Sequence, residues 1–384
     1  MNARLLLLNL ILPIILIFNS MAVAQKIDGA LLPNKTLKAN TKPKTWDNYS
    51  SNVVVSGLSN PWAQEFLANG DILITERAGA IRIVRNGQLL DQQVSNVPEV
   101  YFAGQGGLLD IMLDQNFATN QTLYLSFAVG ENRANAIRLI SAILNKEGDA
   151  YKLDKIKELF TAFPFKRAPQ HYSGRIAQLT DGSLLLTTGD GFDYREQAQE
   201  LDNHLGKIVR INTDGSVPED NPFNKQGDAK PEIWSYGHRN QQGLVVANGV
   251  VYQHEHGPAG GDEINIIKPG LNYGWPVITY GKDYNGAQIS PYTEYDGMQQ
   301  PKVDWTPSIA PSSMAYYNNT LFVTSLVGPS ISALEIKGNE IIELGPVFSS
   351  IDGRIRDIAV GLDGAFSVLT DGGNAELIKI THEH

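Results

Sequence analysis

The 384-residue chain contains no cysteine. Disulfide stapling, thiol nucleophiles and cysteine-ligated zinc are therefore excluded, and stability has to come from packing or from metal held by other ligands. Charge is sparse too. Asp, Glu, Lys and Arg make up 19% of residues, and the formal net charge is −10. An acidic surface repels phosphate backbones, which argues against a nucleic-acid partner. No G-x-G-x-x-G opens a strand–helix unit, and neither a G-x-x-x-x-G-K-[ST] loop nor a G-x-S-x-G elbow occurs. NAD and ATP folds and serine hydrolases thus lack their fingerprints. Helical periodicity is weak throughout, apart from a short turn near 196–205.

Only one long apolar run exists, 5–18, and it is short of the roughly 20 residues a bilayer span needs. It follows a basic start at Arg4 and precedes Ala22-Val23-Ala24, the small-x-small pattern of a signal-peptidase site. We expect 1–24 to be a signal peptide, Gln25 to open the mature chain, and the protein to be periplasmic without stable membrane insertion. Loss of Arg4 with the leader takes the net charge from −10 to −11. Residues 25–45, polar and without periodicity, are expected to form an extended arm, with a single domain over 46–384.

What is abundant is glycine, 36 residues, beside 19 prolines; such turn chemistry favours an all-β chain. One unit recurs: an apolar strand, a turn pair, and a strand of β-branched and aromatic residues. It appears as Trp62–Phe66 before Asn69-Gly70, Leu108–Met112 before Asn120-Gln121, and Arg175–Leu179 before Asp181-Gly182. It returns as Gly243–Val246 before Asn248-Gly249, Ser313–Tyr317 before Asn318-Asn319, and Ile355–Ala359 before Asp363-Gly364. Asn-Gly and Asp-Gly tolerate the positive φ of tight hairpins. The turns at 70, 121, 182, 249, 319 and 364 are 51, 61, 67, 70 and 45 apart. Six units of about 60 residues predict a six-bladed β-propeller of four-stranded antiparallel blades. Stretches 127–170, 188–235 and 274–312 are read as long loops carrying function.

Candidate chemistry concentrates in 232–276. His254 and His256, two apart on a strand, share a face; they could ligate a metal or be structural. The Gly260-Gly261-Asp262 turn, with free carbonyls and carboxylates nearby, suits a hard cation such as calcium, or is a plain hairpin. His171, before the third apolar strand, is either a structural residue or a general base.

Together, Glu232-Ile-Trp-Ser-Tyr-Gly-His-Arg-Asn240, His254-Glu-His-Gly-Pro258 with Gly260-Gly-Asp-Glu263, and Asn272-Tyr-Gly-Trp-Pro276 resemble the soluble pyrroloquinoline-quinone (PQQ)-dependent aldose sugar dehydrogenases of the glucose/sorbosone dehydrogenase family. Asn60-Pro-Trp62, Thr75-Glu-Arg77, Gly104-Gln-Gly-Gly107, Ala198-Gln-Glu-Leu-Asp202, Gly206-Lys207, Ser308-Ile-Ala-Pro-Ser312 and Arg354-Ile-Arg-Asp357 extend the match in order from about residue 55 to the C-terminus. The resemblance implies a six-bladed propeller that oxidises aldoses at C1 to lactones with PQQ and Ca²⁺ and hands electrons to an external acceptor, as a monomer or homodimer. It implies that His171 removes the proton of the anomeric hydroxyl while hydride passes to the quinone, with Arg239 and Asn240 against the cofactor. Gln105, Tyr284, Arg354 and Arg356 match further cofactor contacts. Gly257 and Pro258 match carbonyl ligands of the cofactor's calcium, and Glu263 and Tyr273 ligands of a structural calcium.

Three positions depart from the family pattern. Val327-Gly328-Pro329 stands where a cofactor-binding Lys is frequent, Gln170 precedes the base where some relatives carry Asp, and Gln241 replaces a Pro. The missing Lys puts cofactor affinity in doubt. It keeps open a sugar- or protein-binding propeller without catalysis, while a calcium-dependent lactonase or esterase is the enzymatic alternative. Arg239, Arg354 and Arg356 favour the dehydrogenase.

Overall fold

The computed structural model describes residue 46, residues 48–328 and residues 330–383; the expected leader and arm lie outside the described residues. Among the described residues the strands form six four-stranded antiparallel sheets. The first strand of five sheets follows the chain: Pro61–Phe66, Leu108–Leu113, Ser173–Gln178, Gln241–Ala247 and Pro311–Tyr317 open blades 1 to 5, and Ile355–Val360 opens blade 6. Each of these strands packs on the next, and the last packs on the first, so they form a closed inner ring. The architecture is the six-bladed β-propeller that the repeats predict.

Blade 6 takes its outermost strand from the other end of the described chain. Tyr49–Leu58 pairs antiparallel with Ala375–His382. Trp46 and Tyr49 anchor this closure among Phe322, Phe348 and Phe366, with ring centroids 4.8–6.4 Å apart. Closing the ring this way pairs the edge of Ala375–His382 and makes Tyr49–Leu58 the outer edge strand of the blade.

The six predicted turns fall where each inner strand turns back into the second strand of its blade. Gly70 N–H bonds Leu67 O, Gly182 N–H bonds Leu179 O and Gly364 N–H bonds Gly361 O, each at 2.9 Å. Between the inner faces lie fully buried aliphatics such as Leu73, Ile83, Leu125 and Leu186. Each contributes roughly 1.5–3 kcal/mol relative to exposure.

One expectation fails. The stretch 127–170 is largely sheet, not loop: Thr122–Glu131, Ala134–Glu147 and Ala150–Thr161 make the long hairpins of blade 2. Its Lys-, Asp- and Glu-rich outer strand alternates with period two around Tyr151 and Leu153, and the solvated face masked the pattern. The stretch 188–235 mixes loop with the strand Lys207–Ile211, and 274–302 is irregular as expected. The turn expected near 196–205 is a short 3₁₀ segment, Arg195–Ala198.

Candidate active site

The propeller has two ends, and its topology says which one can carry chemistry. Each inner strand starts at the end away from the glycine hairpins, and each second strand returns there. Residues just before an inner strand and just after a second strand must therefore meet around the channel mouth. They do: Asn60, Gln105, Tyr172 and Asn240 precede inner strands, Arg77, His256, Leu326 and Asp371 follow second strands, and all line one cavity of about 280 Å³.

Three guanidiniums, those of Arg77, Arg354 and Arg356, face this cavity against one carboxylate, Asp371. Asp371 accepts from Arg354 at 2.6 Å and from Arg356 at 2.8 Å. Arg77 Nη2 donates to Gly106 O at 2.8 Å and also to Gly104 O. Burial and the neighbouring Arg356 charge lower the Arg77 pKa. The lining thus carries two cations in excess, an environment made for an anion.

A second pocket, of about 220 Å³, holds His171, Asp190, Arg239, Pro258, Trp275 and Tyr284. His171 Nδ1 lies 2.7 Å from Asp190 Oδ1. Burial alone would raise the Asp190 pKa, but the bond to His171 and the charge of Arg239 hold it below the usual value. Asp190 is thus a carboxylate that also accepts from Trp275 Nε1–H at 2.8 Å and Phe192 N–H at 2.9 Å. An ionised partner assigns the proton to Nδ1 and leaves Nε2 with its lone pair. Burial lowers the His171 pKa, which keeps the ring neutral. His171 sits at φ 49°, and its N–H donates to Gln105 Oε1 at 2.8 Å. Gly189 makes room for this backbone, since a Cβ there would stand 2.2 Å from His171 O. A strained residue locked from three sides is a mark of function.

Arg239 lines the smaller pocket and bonds His256, which lines the larger one. Its Nη1 donates to Gly257 O at 2.6 Å and His256 O at 3.0 Å, and its Nη2 to the Tyr284 hydroxyl at 3.3 Å. Its Nε is buried without a partner. Asn240 is buried beside it, while Tyr284 is 66% exposed at the rim.

The model of the family "Glucose / Sorbosone dehydrogenase" matches residues 58–379. The chain belongs to the glucose/sorbosone dehydrogenase family. It is 37% identical over 344 residues to the aldose sugar dehydrogenase YliI of Escherichia coli K12, covering 86% of this chain and 92% of that protein. Among solved structures it resembles the apo form of the soluble aldose sugar dehydrogenase of Escherichia coli, with TM-score 0.83 and 36% identity over 87% of this chain and 99% of that one. It also resembles the PQQ-bound aldose sugar dehydrogenase of Streptomyces coelicolor, with TM-score 0.68 and 26% identity over 87% and 98%. The chain is an oxidoreductase of the quinoprotein type.

Within this family member, the expected cofactor residues Gln105, Arg239, Asn240, Tyr284, Arg354 and Arg356 all line one or other of the two pockets. Val327 is exposed and lines neither pocket, its N–H bonded to Ile309 O at 3.1 Å. Arg77, which sequence reasoning did not place in the site, adds a guanidinium to the larger pocket. Asp190 was missed as well.

The expected metal residues are less uniform. Gly257 O accepts from Arg239, and Pro258 lines the smaller pocket. Asp262 fixes this turn, with Oδ1 accepting from Gly257 N–H and Oδ2 from Ile309 and Ala310 N–H, each at 2.8 Å. Glu263 lies across the sheet from Glu255 and Asp304. Burial pushes Glu255 up to about 7, and burial with the neighbouring Glu255 charge pushes Glu263 well above its ordinary value. Two adjacent carboxylates, Glu255 buried and Glu263 half-buried, need a proton or a cation between them. Asn265, whose Nδ2 donates to Glu263 at 2.9 Å, has a buried Oδ1 with no partner. The Glu255 and Glu263 carboxylates with the Asn265 amide oxygen are donors of the kind a hard cation takes, while Asp304 does not converge with the pair. The Tyr273 hydroxyl is already committed to Ile266 O and Lys268 N–H, both at 2.8 Å, so only its carbonyl could join a ligand set. His254 and His256 do not converge: among the described residues no group of three or more His, Asp and Glu could hold a metal. His256 Nε2 bonds Pro311 O at 2.8 Å, and burial holds both rings at about 3.

Proposed function

We propose that this protein is a PQQ- and calcium-dependent dehydrogenase that oxidises aldose sugars at C1 to lactones and passes the electrons to an external acceptor. The observation that carries this reading is a neutral His171, oriented by an ionised Asp190, beside a cavity with three guanidiniums. Bound PQQ, a tricarboxylate ortho-quinone, would supply the two-electron acceptor. Arg77, Arg354 and Arg356 would hold its carboxylates, and the orphan Arg239 Nε is a donor left for an oxygen acceptor. His171 Nε2 then takes the proton of the anomeric hydroxyl, and Asp190 stabilises the resulting imidazolium. Phe192, edge-on to His171 at 5.1 Å, and Tyr284 would flank the sugar and exclude water. The carbonyls of Gly257 and Pro258 would hold one calcium, and Glu263 with the Tyr273 carbonyl another. The leader expected at 1–24 from its sequence supports a periplasmic setting. Among the described residues no helix is long and apolar enough to cross a membrane.

The test is titration of the purified, chelator-stripped mature protein with PQQ and calcium, following dye reduction with a panel of aldoses. Calcium-dependent turnover is expected. Absence of PQQ binding would overturn the proposal, and turnover untouched by chelation would remove calcium from it. Glu263→Gln is expected to lower Tm at limiting calcium and to recover it in excess calcium, read by scanning calorimetry. An unchanged Tm with lost turnover would contradict the structural-calcium assignment.

A further inference from the structure

Lys166, in the connection from blade 2 to blade 3, is a buried cation that the chemistry above does not use; only 3% of it is exposed. Its backbone is clamped to Asn135 by reciprocal bonds of 2.8 and 3.0 Å. Its Nζ donates to Ala168 O at 2.6 Å and to Asn135 Oδ1 at 3.1 Å, and stands 3.5 Å from the centroid of the Tyr172 ring. Tyr172 directly follows His171, lines the guanidinium cavity and donates its hydroxyl to the same Asn135 Oδ1. The Lys166 stem passes over Gly191, where a Cβ would come within 2.7 Å of Lys166 Cδ. Gly191 directly follows Asp190. One side chain is thus wedged between the neighbour of the base and the neighbour of its carboxylate.

Both acceptors of this ammonium are neutral, and a cation buried on neutral acceptors and an aromatic face is costly. An apolar side chain would fill the slot more cheaply, so the charge itself calls for a role. The titratable and charged groups facing His171 are Asp190 just past the second strand of blade 3, Arg239 and the neutral His256 from blade 4 and its approach, and Lys166. Asp190 and Asp193 face Lys166 in turn. Asp190 favours the imidazolium, and the cations oppose it.

We propose that Lys166 is a positioning residue for the base: it holds Tyr172 and Asp190 around His171, and its charge, added to that of Arg239, disfavours the protonated ring so that Nε2 stays ready to accept a proton. The inference rests on the reading of His171 as the base. Burial draws the Lys166 pKa down to about 7, so the ammonium is charged over the more acidic range in which His171 titrates.

The test is histidine NMR on the cofactor-free protein, with the His171 signal assigned from its loss in His171→Ala. Removing a cation stabilises the imidazolium, so in Lys166→Met the His171 midpoint rises by about half a pH unit or more, and in Lys166→Arg it stays at the wild-type value. In the loaded enzyme the acid limb of kcat/KM moves the same way. An unchanged midpoint in folded Lys166→Met overturns the proposal. Should that variant not fold, Lys166→Gln takes its place, and an unchanged His171 midpoint in that folded variant overturns the proposal. Full turnover in His171→Ala would instead sink the reading beneath it while leaving the NMR coupling measurable, so the two failures are distinguishable.

Discussion

His171→Ala is expected to lower kcat by about 10² to 10⁴ while leaving PQQ affinity within a few-fold, as the loss of a general base does. The geometry accounts for both halves. The His171 ring lines the smaller pocket, whereas the guanidiniums line the larger one. Gln105, which touches both His171 and the larger cavity, bonds the His171 backbone N–H, so it keeps its partner when the side chain is removed. Stopped-flow reduction of bound cofactor, compared with equilibrium binding, separates the two effects. Unchanged reduction would eliminate His171 as the base, and a loss of binding in proportion to the loss of rate would make it a cofactor contact instead.

Arg356→Met is expected to weaken PQQ binding by about 10- to 100-fold, the loss of one charge-assisted contact in a desolvated site. The effect exceeds that of a surface pair because Arg356 does two things. It supplies positive charge to the cavity, and it shares Asp371 with Arg354. Without it, Asp371 is compensated by Arg354 alone, and the excess of cations over carboxylates in the lining falls from two to one. Fluorescence titration of the apo protein with PQQ measures the change. Wild-type affinity would mean that Arg77 and Arg354 suffice, and Arg356 would then be a structural partner of Asp371.

The blades were legible because each repeats the same short program, an apolar inner strand, a Gly- or Asn-bearing turn and a second apolar strand. Much of the site is legible for the same reason. Arg77, His256, Leu326 and Asp371 each stand seven residues past a predicted turn position, at 70, 249, 319 and 364, and Asp190 stands eight past 182. A two-stranded unit of fixed length returns to the channel mouth at a fixed offset, so counting from the turns would have placed Arg77 and Asp190 in the site. Other features had no local signal. The pairing of Glu263 with Glu255 and Asp304 depends on sheet register, and the seat of Lys166 between Tyr172 and Gly191 depends on how the connection between two blades folds back. The long hairpins of blade 2 were misread because a charged outer strand looks like a loop until its period is counted.

The closure of the ring orders events in time. Tyr49–Leu58 is synthesised first among the strands, yet its partner, Ala375–His382, comes last. The Ser50–Thr381 contact spans 331 positions of sequence. Such a long loop is slow to close, and until then the first strand has no sheet to join. The other five blades are made of consecutive strands, so it is the latch of the ring that waits for Ala375–His382. For a protein that we propose is threaded through a membrane before it folds, that delay is an asset: the last latch is available only on the far side.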